Sequence, residues 1–444
     1  MPPSTSHGVE DGAGPIARAS QWVRSCARDH RRFAWLIAAL AATAVGVGAA
    51  VIVKAPCLDH DWGDNFAFKQ RCYNDIQPLY GPRHFADHVI PYVDYHPPTG
   101  DARMEDQPGF NEYPVLTGMT QYLTSLVTTG SGPFFTVTAI LLGLCAFATT
   151  LALAFGELRP SRLVAWSLVP PLALYAFNNW DLLAVALATA GLVAYSRDRN
   201  GWAGSLVALG ACAKLYPLLF LPLLGIDLLR RERGLRRRGW RFGLGAVGAL
   251  VAVNAPVMAM NLDGWLATYQ FHLARAPSFE ALWSVLGHMD PSRAEWYHMA
   301  NPILLVALLG LGTLVALGRL RVGHACLSIL ALFVLFNVVQ SVQYAIWLVP
   351  MLALVRMPWW VMLLFFVGDV MAFIAVWDFF ASNATAWDAL TTAVLVRAAG
   401  QALLAGAAIW FGWRNAQADR DADPLAVSRD RPLFGAPVQH GPLL

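Results

Sequence analysis

The feature that most constrains this chain is a series of long apolar segments that recurs along almost its whole length. Spans of about 20 apolar residues match the hydrocarbon core of a bilayer. With 57% hydrophobic and 14% charged residues, the 444-residue chain is too apolar for a soluble protein. We therefore predict an all-α polytopic membrane protein with about 10–12 membrane segments. The clear spans are Phe33–Val53, Phe134–Phe155, Leu163–Phe177, Leu182–Tyr195, Phe242–Met260, Pro302–Leu317, Ala325–Val339, Ala345–Val355, Trp359–Trp377 and Ala389–Trp413.

Lysine and arginine cluster between these spans, and the clusters define the predicted topology. Short basic loops stay in the cytosol by the positive-inside rule. Alternating spans then place two long polar segments outside the cell: the first long loop (residues 55–132) and the second long loop (residues 261–300). We expect a multi-pass plasma-membrane protein with both termini in the cytosol. The basic clusters are residues 24–32, 159–162, 197–199, 230–241, 319–321 and the tail after Arg414.

One apolar segment, residues 202–229, does not fit simple alternation because it has basic clusters on both sides. It also contains Lys214 and Pro217 in the middle of the run. Proline interrupts a helix, and irregular backbone at membrane depth is tolerated only inside protein or beside a cavity. We predict a re-entrant or broken helix pair here.

The chain divides into three predicted parts. Residues 1–32 are expected to form a disordered, basic cytosolic N-terminus and residues 415–444 a disordered cytosolic tail, because both are polar and poor in core residues. Residues 33–414 form the transmembrane domain. The basic run 230–241 is interpreted as a solvated loop beside anionic lipid, and no nucleic-acid partner is predicted. Phosphate-binding loops and zinc motifs are absent from the sequence.

Two features of the first long loop predict local structure. Cys57 and Cys72 both lie in it, and an oxidising compartment permits a disulfide between them. Residues 113–127 alternate apolar and polar residues at helical spacing shortly before the second span. We expect this segment to be a helix that lies flat on the membrane surface.

The two long loops collect the side chains that a group-transfer site needs. A general base requires a carboxylate close to an acceptor hydroxyl, and an anionic donor requires Arg, Lys or His. Arg83 lies in the first long loop, and His272, Arg275 and Glu280 lie in the second. From composition alone, any single aspartate of the first long loop is more simply explained as a solvated loop residue or a helix cap. The carboxylates of the first long loop include Asp59, Asp61, Asp64, Asp75, Asp87, Asp94 and Glu112.

Ionisable residues within or next to spans are costly and therefore informative. Lys214 stands at the predicted break, where a cation and an exposed backbone suit a phosphate group. Asp369 and Arg397 lie in the last two spans, where pairing with each other or with backbone is the simpler explanation. Asn179 and Asp181 follow the third span. Helix capping explains them, although they would also face any outer cavity.

Several short motifs occur in a characteristic order, and in that order the chain resembles glycosyltransferase family 87. The resemblance covers roughly residues 33–413 and implies a fold of the GT-C type with two large extracytoplasmic loops. Members of this family use polyprenyl-phosphate sugars. The motifs are Cys72–Tyr80, Glu112–Pro114, Asn179–Asp181, Lys214–Pro217, Arg275–Trp283 and Gln343–Pro350.

The resemblance implies an inverting transfer with Asp75 as the general base, and Asp61 or Asp64 remain alternatives. Lys214, Arg275 and Arg83 are the residues expected to bind the donor phosphate. No cofactor is predicted, because a monophosphate donor depends less on a metal than a nucleotide diphosphate does, and a metal requirement stays open. The residues expected to bind substrate are Glu112, Tyr113, Asn179, Asp181, Tyr216, Glu280, Trp283, Gln343 and Tyr344.

The implied partners are the lipid bilayer, a polyprenyl-phosphate sugar donor and a glycolipid or glycan acceptor of the cell envelope. The implied sugar is mannose, and an arabinosyl donor is the nearest alternative. A lipid or polysaccharide transporter would instead place its polar groups at the membrane midplane. A non-catalytic envelope-assembly protein would tolerate replacement of Asp75.

The chain departs from the family pattern at one position. Mannosyltransferases of this family carry a histidine just before the motif Trp-Leu-x-Pro, whereas this chain has Gln343 and Tyr344. Glutamine donates a hydrogen bond but supplies neither charge nor a proton. We expect either that His272, His288 or His298 takes over this role or that the donor or acceptor differs.

Overall fold

The computed structural model describes residues 30–58, 60, 62–156, 160–231 and 239–422. The structure is 76% helical, and the described residues contain no strand. Most of both expected disordered ends, Asp59, Asp61 and most of the basic run 230–241 lie outside the described residues. The main helices are α1 (His30–Lys54), α2 (Val115–Ser125), α3 (Ser131–Phe155), α4 (Pro160–Leu168), α5 (Pro170–Tyr175), α6 (Asp181–Ser196), α7 (Asn200–Ala213), α8 (Phe220–Arg231), α9 (Gly239–Met260), α10 (Leu262–Ala274), α11 (Leu282–Met289), α12 (Ala300–Ala316), α13 (Val322–Phe336), α14 (Ala345–Leu354), α15 (Trp359–Ala381) and α16 (Trp387–Ala422).

Six of the described helices, α1, α3, α9, α12, α15 and α16, are long and apolar enough to cross a membrane. The shorter helices α6, α13 and α14 are also apolar. Leucine, valine and isoleucine side chains on these helices are both buried between helices and exposed on the outer surface, as expected where lipid replaces water. The predicted all-α polytopic membrane architecture is confirmed.

One expected span, Leu163–Phe177, is wrong as a single helix. The structure has two short helices, α4 and α5, that meet at Val169, whose backbone is extended (φ −81°, ψ 150°). The cause is local, because Pro170 disfavours helical backbone at the preceding residue. Pro170 and Pro171 then begin α5, where the missing N–H groups cost no helical hydrogen bond.

The last helix is longer than the sequence indicates. We expected the final span to end at Trp413, but α16 continues to Ala422. Arg321, just before α13, forms an ion pair with Asp419 at 2.8 Å. This contact fixes the added turns against the α12–α13 connection, so hydropathy alone could not locate the end of the helix.

The predicted break near Lys214 lies between α7 and α8. Helix α7 ends at Ala213, Lys214 is extended (φ −148°, ψ 140°), and Tyr216–Leu219 forms one 3₁₀ turn before α8. Helix α7 packs closely between α6 and α9. At Gly204 an added Cβ would lie 2.1 Å from the Phe242 carbonyl oxygen of α9, so only glycine permits this approach.

Helix α2 has 11 residues and lies within the segment 113–127 that was expected to be helical, and its faces are sharply divided. Thr117 and Gln121 are fully buried against the protein. The Thr117 hydroxyl donates to the Ala213 carbonyl at the end of α7, at 2.8 Å. Leu123 and Val127, by contrast, are exposed. A location at the membrane surface stays a prediction.

Candidate active site

The two long loops pack against each other. Helix α10 of the second loop begins at Asn261, whose side chain donates to the Tyr95 carbonyl of the first loop at 2.7 Å. About two turns further along this helix, the Thr268 hydroxyl donates to the Asn111 carbonyl at 2.8 Å. Gly264 lies between these contacts, directly against backbone of the first loop. Residues more than 150 positions apart in the sequence are therefore held in one unit.

Asp75 lies at the centre of a partly buried hydrogen-bond cluster. Its backbone N–H donates to the Asn178 carbonyl at 2.7 Å, which fixes this part of the first loop to the turn before α6. The Tyr73 hydroxyl donates to Asp75 Oδ1 at 2.9 Å, and Asn179 Nδ2 donates to Asp75 Oδ2 at 2.7 Å. Both carboxylate oxygens are thus oriented by neutral donors.

The electrostatic environment of Asp75 suits a general base. Burial raises the pKa of its carboxyl above the usual value, while the hydrogen bonds from Asn179 and Tyr73 and the charge of Lys214 partly oppose that rise. The nearby Glu112 carboxylate raises the pKa further. A base with a raised pKa holds a proton more strongly than an ordinary aspartate does, which favours proton abstraction near neutral pH.

Asn179 links Asp75 to Tyr113. The same Nδ2 group that donates to Asp75 also donates to the Tyr113 hydroxyl oxygen at 2.8 Å. Its Oδ1 accepts from the Trp180 backbone N–H, which fixes the amide orientation. The motifs around Glu112 and Asn179, which the sequence suggested separately, therefore meet beside Asp75.

Lys214 projects from the break after α7 into this cluster. Its ammonium lies 3.1 Å from Asp181 Oδ1 and 5.0 Å from the centre of the Tyr113 ring. Trp347 Nε1 also donates to Asp181 Oδ1, at 2.9 Å. The second Asp181 oxygen is buried and receives no hydrogen bond from the described residues. The helix break thus presents a cation close to Asp75.

Aromatic rings form a stack beside Lys214. The Trp347 ring lies between Tyr216, at 4.6 Å, and Tyr344, at 3.9 Å between ring centres. The Lys214 ammonium is 5.9 Å from the centres of both the Tyr344 and Trp347 rings. Stacked rings next to a cation provide the kind of surface on which sugar rings pack.

Arg83 is placed differently from the expectation for a phosphate ligand. Its guanidinium Nε lies 2.8 Å from Glu112 Oε2, and its Nη1 donates to the Glu105 carbonyl at 2.7 Å. The side chain is 9% exposed and is engaged by these partners. In this arrangement Arg83 orients Glu112 rather than presenting an open anion site.

The second loop contributes Glu280 and Arg275. Burial raises the pKa of the Glu280 carboxyl, and the charges of Arg397 and Arg275 are among the contributions that oppose the rise. Arg397 of α16 also donates to the Glu280 carbonyl at 2.8 Å. Arg275 is exposed, and its guanidinium lies 5.3 Å from the Phe271 ring centre. Arg275 is thus an accessible cation at the edge of the cluster.

Tyr344 has electrostatic neighbours from three separate segments of the chain. They are Asp75 of the first loop, Asp181 at the start of α6, and Arg275 and Glu280 of the second loop.

Asp369 and Arg397, the two ionisable residues of the last spans, both bond to groups outside their own helices. The Tyr175 hydroxyl donates to Asp369 Oδ2 at 3.1 Å. Arg397 bonds to backbone, which is one of the two alternatives that the sequence left open.

Two expected substrate-binding residues serve the fold in this structure. The Trp283 indole N–H donates to the Phe336 carbonyl at 2.8 Å, so this buried side chain anchors α11 to the end of α13. Gln343 is also buried, and its Oε1 accepts from the Ser341 hydroxyl at 2.7 Å.

Of the alternative bases, Asp64 is exposed and Asp61 lies outside the described residues.

The three histidines considered as substitutes for the family histidine are now separable. His272 Nε2 lies 2.7 Å from the Glu112 carbonyl oxygen, and its electrostatic neighbours include Lys214. His288 instead stacks on Trp387, and His298 packs against Tyr297. Of these three histidines, His272 is the one that the contacts place at the cluster.

The sequence interpretation missed three residues that build the cluster. Tyr73 supplies a donor to Asp75, Trp347 is the centre of the aromatic stack, and Lys54 donates to the Tyr73 carbonyl at 2.6 Å. Tyr73 and Trp347 lie in motifs that were recognised, so their positions carried a signal. Lys54 follows an apolar span and looks like an ordinary anchor at a membrane surface.

A disulfide joins Cys57 and Cys72. It connects the residues that follow α1 to the segment that carries Tyr73 and Asp75. Among the described residues, no group of three or more His, Cys, Asp or Glu side chains is arranged to hold a metal ion.

A comparison with known protein families gives a match over part of the chain. The model of glycosyltransferase family 87 matches residues 113–339, just over half of the chain. The matched segment contains Tyr113, Asn179, Asp181 and Lys214 of the cluster, while Asp75 lies before it. No curated protein matches the chain. The chain belongs to glycosyltransferase family 87 and is a membrane glycosyltransferase.

Proposed function

We propose that the protein transfers mannose from a polyprenyl-phosphate donor to a glycolipid or glycan of the cell envelope. In this proposal the cluster around Asp75 is the active site and faces the outside of the plasma membrane. Both long loops contribute to it, and the donor lipid remains in the bilayer while its sugar phosphate reaches the cluster. The observation that carries the proposal is the partly buried, oriented Asp75 carboxylate with Lys214 close by.

The reaction is an inverting displacement. The Asp75 carboxylate takes the proton of an acceptor hydroxyl while that oxygen forms a bond to the anomeric carbon of the donor sugar. The bond between the anomeric carbon and the phosphate oxygen breaks on the opposite face, and the polyprenyl phosphate leaves with its electron pair. One proton moves to Asp75, and the new glycosidic bond replaces the bond between the sugar and the phosphate.

Charge develops on the leaving phosphate, and preorganised cations stabilise such charge most effectively. Lys214 and Arg275 are assigned this role. Lys214 is held in place by Asp181 at 3.1 Å, so it is already ordered before the donor binds. Arg83 orients Glu112, and His272 is assigned to the position beside the Glu112 backbone where it contacts the departing phosphate or the acceptor.

The sugar is expected to pack against the stack of Tyr216, Trp347 and Tyr344. Asp181 and Asn179 are polar groups next to this stack that are suited to sugar hydroxyls. In particular, the buried Asp181 oxygen without a hydrogen bond has the capacity to accept one.

The test compares membranes that contain wild-type protein, Asp75→Asn or Asp101→Asn at matched levels. Asp101 is an exposed carboxylate of the same loop and serves as the control. Membranes are incubated with radiolabelled polyprenyl-phosphate mannose and envelope lipids, and the products are separated by chromatography. We expect a new labelled product with wild type and Asp101→Asn and none with Asp75→Asn.

Other outcomes separate the parts of the proposal. Equal product with Asp75→Asn would show that Asp75 is not the base. Product that appears only when the mannosyl donor is replaced by polyprenyl-phosphate arabinose would replace mannose by arabinose as the transferred sugar and leave the role of Asp75 intact.

A further inference from the structure

A buried lysine supports the catalytic segment from the end of the first membrane helix. Lys54 is the last residue of α1 and is completely inaccessible to solvent. Its ammonium donates to the Tyr73 carbonyl at 2.6 Å. A lysine that only anchors a helix at a membrane surface extends its ammonium into water. Lys54 directs it into the protein, at the cost of losing hydration.

Tyr73 connects Lys54 to Asp75, because its backbone carbonyl, its hydroxyl and its ring each contact a different residue. The carbonyl accepts from Lys54, the hydroxyl donates to Asp75 Oδ1 at 2.9 Å, and the ring packs on Trp377 of α15 at 5.3 Å. The preceding residue, Cys72, is joined by the disulfide to Cys57, three residues after Lys54. The end of α1 is thus connected to the Asp75 segment twice.

The Asp75 carboxylate also acts electrostatically on Lys54. Lys214, the cation that projects from the α7–α8 break, lies 3.1 Å from the carboxylate of Asp181, whereas Lys54 bonds to a neutral carbonyl. Asp75 is thus the acid whose charge acts on the Lys54 ammonium. The titratable groups that face Asp75 are Lys54, Tyr73, Glu112, Tyr113, Lys214 and Tyr344.

We propose that Lys54 is a positioning residue for Asp75: it fixes the Tyr73 carbonyl and supplies the positive charge that keeps the Asp75 carboxylate ionised and in place. This inference rests on the proposed role of Asp75 as the base. It assigns a function in catalysis to the end of α1, which precedes the segment matched by the family model.

The first experiment measures the pH dependence of kcat/KM for wild type, Lys54→Arg, Lys54→Gln and Lys54→Met. Gln keeps a hydrogen-bond donor without charge, and Met keeps neither. Without the cation, the Asp75 carboxylate takes up a proton more readily, so the acidic limb of the profile moves to higher pH. We expect a shift of about one pH unit in Lys54→Gln and Lys54→Met, which lowers the rate about tenfold on that limb.

Comparison within the series separates positioning from folding. We expect Lys54→Arg to keep the wild-type midpoint, and Lys54→Met to have a lower kcat also at high pH because the Tyr73 carbonyl is released. Lys69→Met, at an exposed lysine of the same loop, is the control and should match wild type. A Lys54→Met profile that is lower at every pH but has the wild-type midpoint would reduce Lys54 to a structural role and overturn the proposal.

The second experiment requires no substrate. Thermal unfolding of the purified full chain in detergent is measured for Lys54→Met, Asp75→Asn and the double variant. Coupled charges give non-additive effects. We expect the loss of Tm in the double variant to be smaller than the two single losses combined, because it leaves neither charge uncompensated. Additive losses would overturn the proposal even where Asp75→Asn has no activity.

Failure of the proposed function has a separate signature. If Asp75→Asn retains wild-type activity, Asp75 is not the base, and Lys54 cannot position one. If Asp75→Asn is inactive but the Lys54 variants keep the wild-type midpoint and additive Tm losses, the base assignment stands and the inference on Lys54 falls.

Discussion

Asp75 combines partial burial with unused hydrogen-bonding capacity. Each of its oxygens accepts one hydrogen bond, from Tyr73 and from Asn179. A carboxylate has about four lone-pair positions, so an acceptor hydroxyl can still bind. The two fixed donors restrict the directions from which it approaches. In the proposed reaction, the carboxylate is therefore already oriented before the acceptor binds.

This environment determines how activity depends on pH. Because burial raises the pKa of Asp75 and the base must be ionised, kcat/KM falls as the pH drops through that raised pKa and is highest above it. We expect the midpoint of the acidic limb to lie clearly above about pH 4, the value for an ordinary aspartate. A pH profile of initial rates checks this, and a midpoint at or below that value would contradict it.

Lys214 is the residue whose replacement should most affect the leaving group. We expect Lys214→Met to lower kcat about 100-fold, the effect typical of removing one preorganised group that stabilises developing charge, with a smaller change in KM. Lys214→Arg should retain more activity. The measurement is steady-state kinetics of purified protein in detergent.

The control for this substitution concerns the buried partner. Loss of Lys214 leaves the Asp181 carboxylate, which is 1% exposed, without its cation. Lys214→Met combined with Asp181→Asn removes that unpaired charge. Because Asp181 is itself assigned to the sugar, the reference is Asp181→Asn alone. A double variant that folds like wild type and is much less active than Asp181→Asn supports the catalytic role, whereas activity equal to that of Asp181→Asn would assign Lys214 to folding alone.

Residue chemistry and motif order predicted part of this site. Asp75, Asn179 and Lys214 belong to motifs whose order indicated one site, and the structure brings these three together. Arg83 carries the right charge for a phosphate, but nothing in the sequence shows that Glu112 folds against it. Lys54 could not be distinguished from an interfacial lysine, because its burial depends on the packing of the whole first loop.

At the scale of elements, the break after α7 positions Lys214, and the α7–α9 contact holds the break. Helices approach so closely here because Gly204 and Gly245 expose backbone. The spans and the break followed from hydropathy and proline. The α4–α5 division was missed because apolar composition continues through Pro170, where backbone sterics rather than hydropathy decide the structure.

Substitution of these glycines tests the element contact. A Cβ at Gly204 would lie 2.1 Å from the Phe242 carbonyl oxygen, whereas one at Gly243 of the same helix pair meets nothing within 4 Å. We expect Gly204→Ala to destabilise the fold by about 1–3 kcal/mol and Gly243→Ala to have no such effect. Thermal unfolding in detergent measures both. Equal stability of the two variants would contradict the prediction that α7 and α9 are too close at position 204 for a side chain.

At the scale of the whole molecule, the positive-inside rule predicts a membrane orientation in which both long loops face outward, and this agrees with the proposed site. The two long loops are in contact, so they lie on the same side of any membrane that the six long helices cross. The basic residues near Arg319 belong to the opposite side in the predicted topology. A polyprenyl donor presented outside the cell requires the loops to face outward.

Cysteine labelling tests this orientation in intact cells. Cys26, in the N-terminal segment expected in the cytosol, is first replaced by serine so that it does not react. In this background, we expect Asp101→Cys in the first long loop to react with a membrane-impermeant maleimide while the cells are intact, because position 101 is exposed. Arg319→Cys, also at an exposed position, should react only after the cells are permeabilised. The reverse pattern would place the cluster around Asp75 on the cytosolic side, where the donor would have to be a cytosolic sugar lipid. The residue contacts would remain as described, but the acceptor could no longer be an external glycan.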